Sequence, residues 1–443
     1  MKKIGFGLSA LAVSAAAILI ACSGDDVTEG PADAGDDASP FDGSFPDTST
    51  TDAATPDGGD ADVSRPPWAL ITINYGTNSD LLAFSLTANA PDGVFNYASK
   101  YGGTSIASDG PWALEQYTDI VAKMDPAHPW QPTSSWNVRG ATDGGDSDSY
   151  ADPYKVVAGP TGKDYVLRFN RNQIAVLDTT QTGTNLAPKP FIDLKQYLDP
   201  TDADGEIDMV SGAYVASQHR LYVLLANFDL YNVDPKAYFT LCGTTHSEIV
   251  AIDTDTDTLV SAADGGTSTS AVVLGGYDAV GLVYDTAGGR LFAINSGCSD
   301  PSATDGGPPG TTHMREIDSF DVSTGATAKA LDLDAVDEPV AFAQIDATHL
   351  ALRLEHYDFS FGVVNSWDIT TSVLGAVIPN APDLFASDGQ GHLVGVTTSY
   401  FADGGSGTSI QSVNVSDGGV TTLGVPPVSG SSPIFASVDY SSP

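Results

Sequence analysis

S-E-I-V-A-I-D-T-D-T-D-T-L-V, Ser247 to Val260, is the stretch that decides the fold. An apolar run, Ile249 to Ile252, stops at Asp253; a run of Thr and Asp follows, and Leu259 and Val260 resume the apolar character. Short apolar runs bounded by turn formers read as strands, and Asp and Thr make turns by hydrogen-bonding to nearby backbone. The phrase recurs along the chain as Leu81–Leu86, Ile120–Asp125, Gln173–Asp178, Ile317–Asp321, Val363–Asp368 and Ile410–Val415. Only the first and last copies lack the Asp, as end units of a repeat often depart from the pattern.

Working outward, each copy has a second apolar run before it. These begin at Trp68 (W-A-L-I-T-I-N), Pro111, Asp164, Leu221, Arg290, His349 and His392. An innermost strand precedes most of those, beginning at Tyr154, Met209, Ala279, Pro339 and Pro382, with a weaker version from Gly103. A more polar fourth strand follows several turns, such as Ala271–Leu274 and Val420–Leu423. Four strands per unit, at intervals of roughly 40–70 residues, are what a β-propeller requires. The first unit lacks an innermost strand, and P-I-F-A-S-V-D-Y, Pro433 to Tyr440, supplies one from the other end of the chain. The expectation is an all-β, seven-bladed β-propeller over residues 68–443, closed by the C-terminal strand joining the first blade. Two packed β-sandwiches are the alternative.

The units resemble the YVTN-type, lactonase-like seven-bladed propellers, and more closely the propeller lipoproteins of myxobacterial type. Y-V-L-R-F-N-R-N-Q-I-A-V-L-D, Tyr165 to Asp178, carries the likeness. It speaks to fold more than to activity, since propellers host many functions.

At the N-terminus, Lys2 and Lys3 precede an apolar, small-residue run from Ile4 to Ile20 that is short and wrongly flanked for a membrane span. Leu19-Ile20-Ala21-Cys22 resembles a bacterial lipobox. That resemblance implies removal of residues 1–21 as a signal peptide and lipidation of Cys22. Ser23 in the next position implies the outer membrane of the cell envelope. An ordinary secretory peptide with an incidental Cys is the competing reading. Two or three acyl chains anchor stably where one is marginal. Residues 22–67, rich in Asp and Gly with almost no large apolar side chain, read as a disordered linker.

Acidic residues outnumber basic ones 57 to 18, for a formal charge of −39. Such a chain is unsuited to nucleic acid, because phosphate contacts need Lys and Arg. The expected partners are the membrane, through the lipid, and an envelope protein or polysaccharide. With Cys22 lipidated, Cys242 and Cys298 remain, and an oxidising compartment favours their pairing. They fall in equivalent loops of adjacent blades; two unpaired thiols are the alternative.

Long insertions concentrate on one face of the predicted ring: Gly140–Pro153, Leu198–Asp208, Phe228–His246 and Gly297–His313. Long loops on a rigid scaffold are the usual place for binding. Second strands end there in polar groups: Glu115, Arg168, Asn170, Arg171, Asn227, Asn295, Arg353, Glu355 and His356. Around an axial pocket these would hold a polar ligand, or act on an ester in a lactonase-like hydrolase; the bland reading is hydrogen bonding to turns. His246 and His313 close twin G-T-T-H phrases and are candidate zinc ligands, against a reading as repeat grammar. Asp202, Asp204 and Asp208 form a candidate calcium loop. Aligned on Gly205, however, the first and twelfth EF-hand positions are Pro200 and Ser211. No G-x-S-x-G, H-E-x-x-H or P-loop occurs. A non-enzymatic binding platform is therefore the leading expectation, with the lactonase-like hydrolase as the alternative.

Overall fold

A computed structural model describes residues 68–74, 79–86, 88–96, 106–140, 150–200, 205–229, 232, 241–242, 245–263, 269–300, 311–334, 338–355, 361–397, 409–424 and 434–441. The segments read as a signal peptide and a linker, with Cys22 between them, lie outside these residues. Short strands build seven antiparallel blades, each running from an innermost strand outward. Blade 1 is Ile434–Ser441, Trp68–Asn74, Ser79–Ser85 and Ala90–Asn96. Blade 2 is Ile106–Asp109, Trp112–Glu115, Ile120–Asp125 and His128–Asn137. Blade 3 is Pro153–Ala158, Lys163–Arg168, Gln173–Asp178 and Lys189–Asp193. Blade 4 is Met209–Val215, Arg220–Leu225, Glu248–Asp253 and an outer strand in two pieces, Thr258–Val260 and Val272–Val273. Blade 5 is Ala279–Asp285, Arg290–Asn295, Glu316–Asp321 and Thr327–Asp332. Blade 6 is Glu338–Gln344, His349–Glu355, Phe361–Asp368 and Val373–Val377; blade 7 is Leu384–Ser387, His392–Thr397, Ser409–Asn414 and Val420–Gly424.

The C-terminal strand takes the innermost place of blade 1, pairing Trp68 with Ser441 and Asn74 with Ile434. The chain thus closes its own ring, which excludes the two-sandwich arrangement.

A blade buries both faces, so its central strands read as continuous apolar runs. In blade 4, Ile249 and Ala251 enter the apolar cluster shared with blade 5, while Val250 and Ile252 enter the cluster shared with blade 3. Successive strand residues point to opposite faces, and each face of this blade meets a different neighbour. Seven such clusters occur among the described residues, one per blade interface. The closing one joins Ile71, Leu82 and Phe84 of blade 1 to Val394, Val396 and Ile410 of blade 7.

The recurrent Asp works as a turn cap. Asp253 Oδ1 accepts the N–H groups of Asp255 and Thr256 at 3.0 and 2.9 Å. Asp321 does the same for Ser323 and Thr324, and Asp368 for Thr370 and Thr371. Donors hold these carboxylates below their ordinary range: chiefly the Thr256 amide at Asp253, the Ser323 hydroxyl at Asp321 and the Thr370 hydroxyl at Asp368. The turn of Ser247–Val260 also reaches outside its blade. Lys163 Nζ of blade 3 donates to both Asp257 oxygens at 2.9 and 3.0 Å and to the Thr254 carbonyl at 2.7 Å. Tyr165 Oη donates to Asp257 Oδ1 at 2.9 Å.

Among the described residues, three features depart from the plain four-stranded repeat. Gly183–Leu186 leaves blade 3 and pairs in parallel with the outer strand of blade 2, Gly183 opposite Ser134 and Leu186 opposite Trp136. A two-stranded hairpin, Cys298–Asp300 with Thr311–His313, grows out of blade 5. In blade 4, Leu259 and Val260 pair with Ile252 and Ala251, and after an excursion Val272 and Val273 pair with Ile249 and Glu248.

Replacing Asp257 by Ala removes the carboxylate that Lys163 and Tyr165 share, leaves Lys163 its bond to the Thr254 carbonyl, and puts a non-glycine, non-Asx residue at φ 55°. A loss of about 2 kcal/mol in urea unfolding is expected. Asp255→Ala, at an exposed ion pair with His219, is expected to change stability by less than about 0.5 kcal/mol. Equal effects of the two substitutions would show that the clamp contributes nothing of its own.

Candidate functional site

Innermost strands begin, and second strands end, on one face of the ring: Pro153 lies opposite Arg168, Met209 near Leu225, Ala279 opposite Asn295 and Glu338 opposite Glu355. The same local device starts three of the inner strands. Asp152, Asp208 and Asp278 have φ of 50°, 47° and 50°, in the left-handed region that Asp tolerates better than most residues. Their carbonyls accept the N–H groups of Phe169, Ala226 and Ser296 at 2.9, 2.9 and 3.0 Å. A register shift follows in each, between Pro153 and Lys155, Met209 and Ser211, and Ala279 and Gly281. An acidic residue marks this point in five units: Asp152, Asp208, Asp278, Glu338 and Asp383. Aligning the units one residue further left exposes that signal.

Most of the polar groups expected at the second-strand ends are engaged in holding loops. Arg168 is fully buried; its Nη1 donates to the Val138 and Arg139 carbonyls at 3.0 Å each, its Nε to the Gln173 carbonyl at 2.8 Å, and its guanidinium stacks on Phe191 at 4.4 Å. Arg171 Nη1 donates to the Asn170 carbonyl at 2.7 Å. Asn227 Nδ2 donates to the His246 carbonyl at 2.9 Å. Asn295 Nδ2 donates to Asp318 Oδ2 at 3.2 Å. Arg353 reaches the Asp383 carbonyl of the next blade and the Glu355 carboxylate. Glu115 Oε1 accepts the Tyr117 N–H at 3.2 Å. His356 lies outside the described residues. Sequence reasoning passes over Asn172, which ties blade 3 to the following loop through the Gly205 carbonyl at 2.9 Å and the Ile207 N–H at 3.1 Å.

Acidic groups meet along blades 5 to 7. Burial pushes the Glu338 carboxyl well above its ordinary range, with Glu355 and Asp278 adding to the shift and Arg315 opposing it. Burial also raises Glu355, against the pull of Arg353.

The long loops of blades 4 and 5 are joined by a disulfide between Cys242 and Cys298, with Cα atoms 5.0 Å apart. Cys242 N–H donates to the Ser299 carbonyl at 2.8 Å, so the blade 4 loop also adds a backbone bond to the hairpin. His246 is held at both ring nitrogens: Nδ1 lies 3.0 Å from the Gly275 carbonyl and Nε2 2.9 Å from Tyr277 Oη. His313 closes the hairpin opposite Cys298; its backbone alone is described. Asp208 is buried and accepts the Phe228 N–H at 2.7 Å, while Asp202 and Asp204 lie outside the described residues. Among the described residues no group of three or more His, Cys, Asp and Glu side chains is arranged to hold a metal ion.

One open cleft of about 400 Å³ lies beside the break in the outer strand of blade 4, lined by Gln196, Tyr197, Glu248, Thr269, Ser270 and Ala271. Gln196 and Tyr197 come from a single 3₁₀ turn, Lys195–Tyr197, in the connection from blade 3. Tyr197 Oη donates to the Thr269 carbonyl at 2.6 Å and fixes one wall. Glu248 belongs to the Ser247–Val260 stretch. Burial, with Asp199 adding to it, raises its carboxyl above the ordinary range.

No family model matches the chain, and no curated protein matches it. Among solved structures, a putative 6-phosphogluconolactonase from Bacteroides fragilis is 12% identical, with 87% of this chain and 99% of that one covered and a TM-score of 0.48. Kuenenia stuttgartiensis hydrazine synthase is 14% identical, with 80% and 95% covered and a TM-score of 0.47. Apo AztD from Citrobacter koseri is 9% identical, with 85% and 98% covered and a TM-score of 0.40.

The cysteines are separated by 56 residues, a span for which the chain-entropy treatment of a crosslink gives about 4 kcal/mol. Reduction is expected to lower the thermal midpoint, and native protein is expected to resist alkylation at both thiols until reductant is added. Free alkylation without reductant would contradict the pairing.

Buried carboxyls and capped turn carboxyls make opposite demands on pH. Asp119, Asp164, Glu338 and Glu355 are raised by burial, so the folded chain binds more of their protons and their stabilising contribution fades as pH rises through their folded values. Asp178, Asp253, Asp321 and Asp368 are lowered, so theirs is present above the ordinary carboxylate range and fades as pH falls below it. Calorimetric midpoints are expected to peak near about pH 5 and to fall on either side. A midpoint rising steadily to pH 8 would refute this balance.

Proposed function

We propose that this chain is a lipid-anchored β-propeller of the cell envelope, carried in the outer membrane, that acts as a binding platform for an envelope protein or polysaccharide through its loop-rich face. The observation that carries the reading is how that face is held. Arg168, Asn172, Asn227 and Arg353 donate to backbone carbonyls of the loops, and a disulfide joins the longest insertions of blades 4 and 5. Groups committed to fixing loops preorganise a surface, and preorganisation lowers the ordering cost of binding. The cleft beside Glu248 offers one carboxyl, one phenol and several small polar groups to a neutral or donor-rich ligand. The net charge of −39 disfavours anionic partners. Anchoring rests on the Leu19–Cys22 phrase, and export agrees with the paired cysteines.

Two measurements test the reading. Palmitate labelling and fractionation of cells expressing the full chain are expected to place the wild type in the membrane fraction, with label, and to find Cys22→Ala unlabelled and outside it. Immobilised full chain is expected to retain a component of envelope extract that Glu248→Lys releases. Turnover of lactones or esters that disappears in Arg353→Ala would instead favour a hydrolase.

A further inference from the structure

Glu316 and Asp318 sit two residues apart on one face of the third strand of blade 5, and they are 3% and 4% exposed. Three neighbouring elements supply polar partners. From the outer strand, Lys329 Nζ meets Glu316 Oε2 at 2.6 Å and Asp332 at 3.5 Å. From the second strand, Asn295 Nδ2 donates to Asp318 Oδ2 at 3.2 Å. From the turn between blades 4 and 5, Gly275 and Gly276 N–H groups donate to the same oxygen at 3.0 and 3.1 Å. The two carboxyls also converge: the position a Cβ would take at Gly275 lies 2.1 Å from Glu316 Oε1 and 3.3 Å from Asp318 Oδ1. A side chain at Gly275 would therefore push the Glu316 carboxyl from this place.

That turn is a junction for the loop-rich face. The Gly275 carbonyl lies against His246 Nδ1, the Gly276 carbonyl accepts the Ser247 N–H at 3.1 Å, and the Tyr277 carbonyl accepts the Gly297 N–H at 3.0 Å. Gly297 directly precedes Cys298, and His246 stands four residues after Cys242. Whatever holds Gly275 and Gly276 therefore holds the bases of both disulfide-linked loops.

We infer that the Glu316–Asp318 pair is a proton-operated latch: with one shared proton it clamps the Gly275–Gly276 turn to blade 5, and loss of that proton releases the turn and loosens the face. In the latched state Glu316 carries the proton and donates it to Asp318, whose other oxygen takes three N–H donors. On deprotonation the proton passes to solvent, and two buried carboxylates face one another with Lys329 as the single nearby cation that touches them among the described residues. Burial holds both carboxyls above the ordinary range; Lys329 opposes this at Glu316, and the Gly276 and Gly275 amides oppose it at Asp318. By linkage, the stabilisation is complete below the ordinary carboxylate range and is lost as pH rises through the folded values. The latch does not depend on the identity, or the existence, of a binding partner.

Amide hydrogen exchange at Gly275 and Gly276, corrected for the intrinsic pH dependence, reads the latch directly on the full chain. Protection in the wild type is expected to fall about tenfold or more between about pH 5 and about pH 9. Glu316→Gln keeps a donor to Asp318 without a titrating proton, and its protection is expected to stay level over that range. Asp318→Asn is expected to lose protection at every pH. Should the variants fold poorly, carboxyl carbon-13 titration of the wild type decides the matter: Glu316 and Asp318 are expected to titrate as a coupled pair above the ordinary range. Level protection in the wild type, an equal fall in Glu316→Gln, or two independent titrations in the ordinary range would each overturn the latch.

Discussion

The ring stands on apolar contact between neighbouring blades, and one of its interfaces is made by the two ends of the folded region. Ile71, Ile73, Leu82 and Phe84 of blade 1 pack against Val394, Val396, Ile410 and Leu423 of blade 7. That contact exists because Ile434–Ser441 completes blade 1 from inside. A buried Val, Leu, Ile or Phe side chain contributes roughly 1.5–3 kcal/mol, whereas a net hydrogen bond contributes about 1 kcal/mol. The interfaces therefore supply the driving force, and the polar clamps select which blade sits where and how each loop leaves it.

Those clamps differ between the two faces. On one, the Asp caps are local: Asp253, Asp321 and Asp368 bond to residues two or three positions on. The Lys163–Asp257 clamp is the addition that ties two blades there. On the other face the fasteners join residues far apart in sequence: Asn172 to Gly205, Asp318 to Gly275 and Arg353 to Asp383. The disulfide belongs to the same set. Asn172 and the disulfide carry no titrating charge and Arg353 keeps its own, so within this set pH acts only through Asp318 and its neighbour Glu316, where the proposed latch sits.

The fold is legible because its signal is local and repeated. I-V-A-I in Ser247–Val260 needs both faces buried, and D-T-D-T-D closes its own turn through side chains a few residues away. Trp68–Asn74, Ile120–Asp125 and Gln173–Asp178 form at the limits read from sequence, and Ile434–Ser441, nearly all of it read in the Pro433–Tyr440 run, takes the inner place of blade 1. Gly183–Leu186 is not legible: T-G-T-N-L has no strand periodicity, and its place on blade 2 depends on Ser135 Oγ receiving the Asn185 N–H at 3.0 Å. At the candidate site the sequence locates the polar residues on one face but not their partners. Arg168 and Asn295 look alike as strand-end polar groups, and only the fold reveals that one seizes backbone carbonyls and the other a buried carboxylate. Glu248 carries no signal in the sequence, because an isolated Glu at a strand start is ordinary until the broken outer strand opens a cleft beside it.

Closure by the C-terminal strand is the claim on which the remainder stands, and a chain ending at residue 432 tests it. Thermal unfolding followed by near-ultraviolet circular dichroism should show that this chain has lost the cooperative transition of the full-length protein. A truncated chain that unfolds cooperatively at the full-length midpoint would contradict the account.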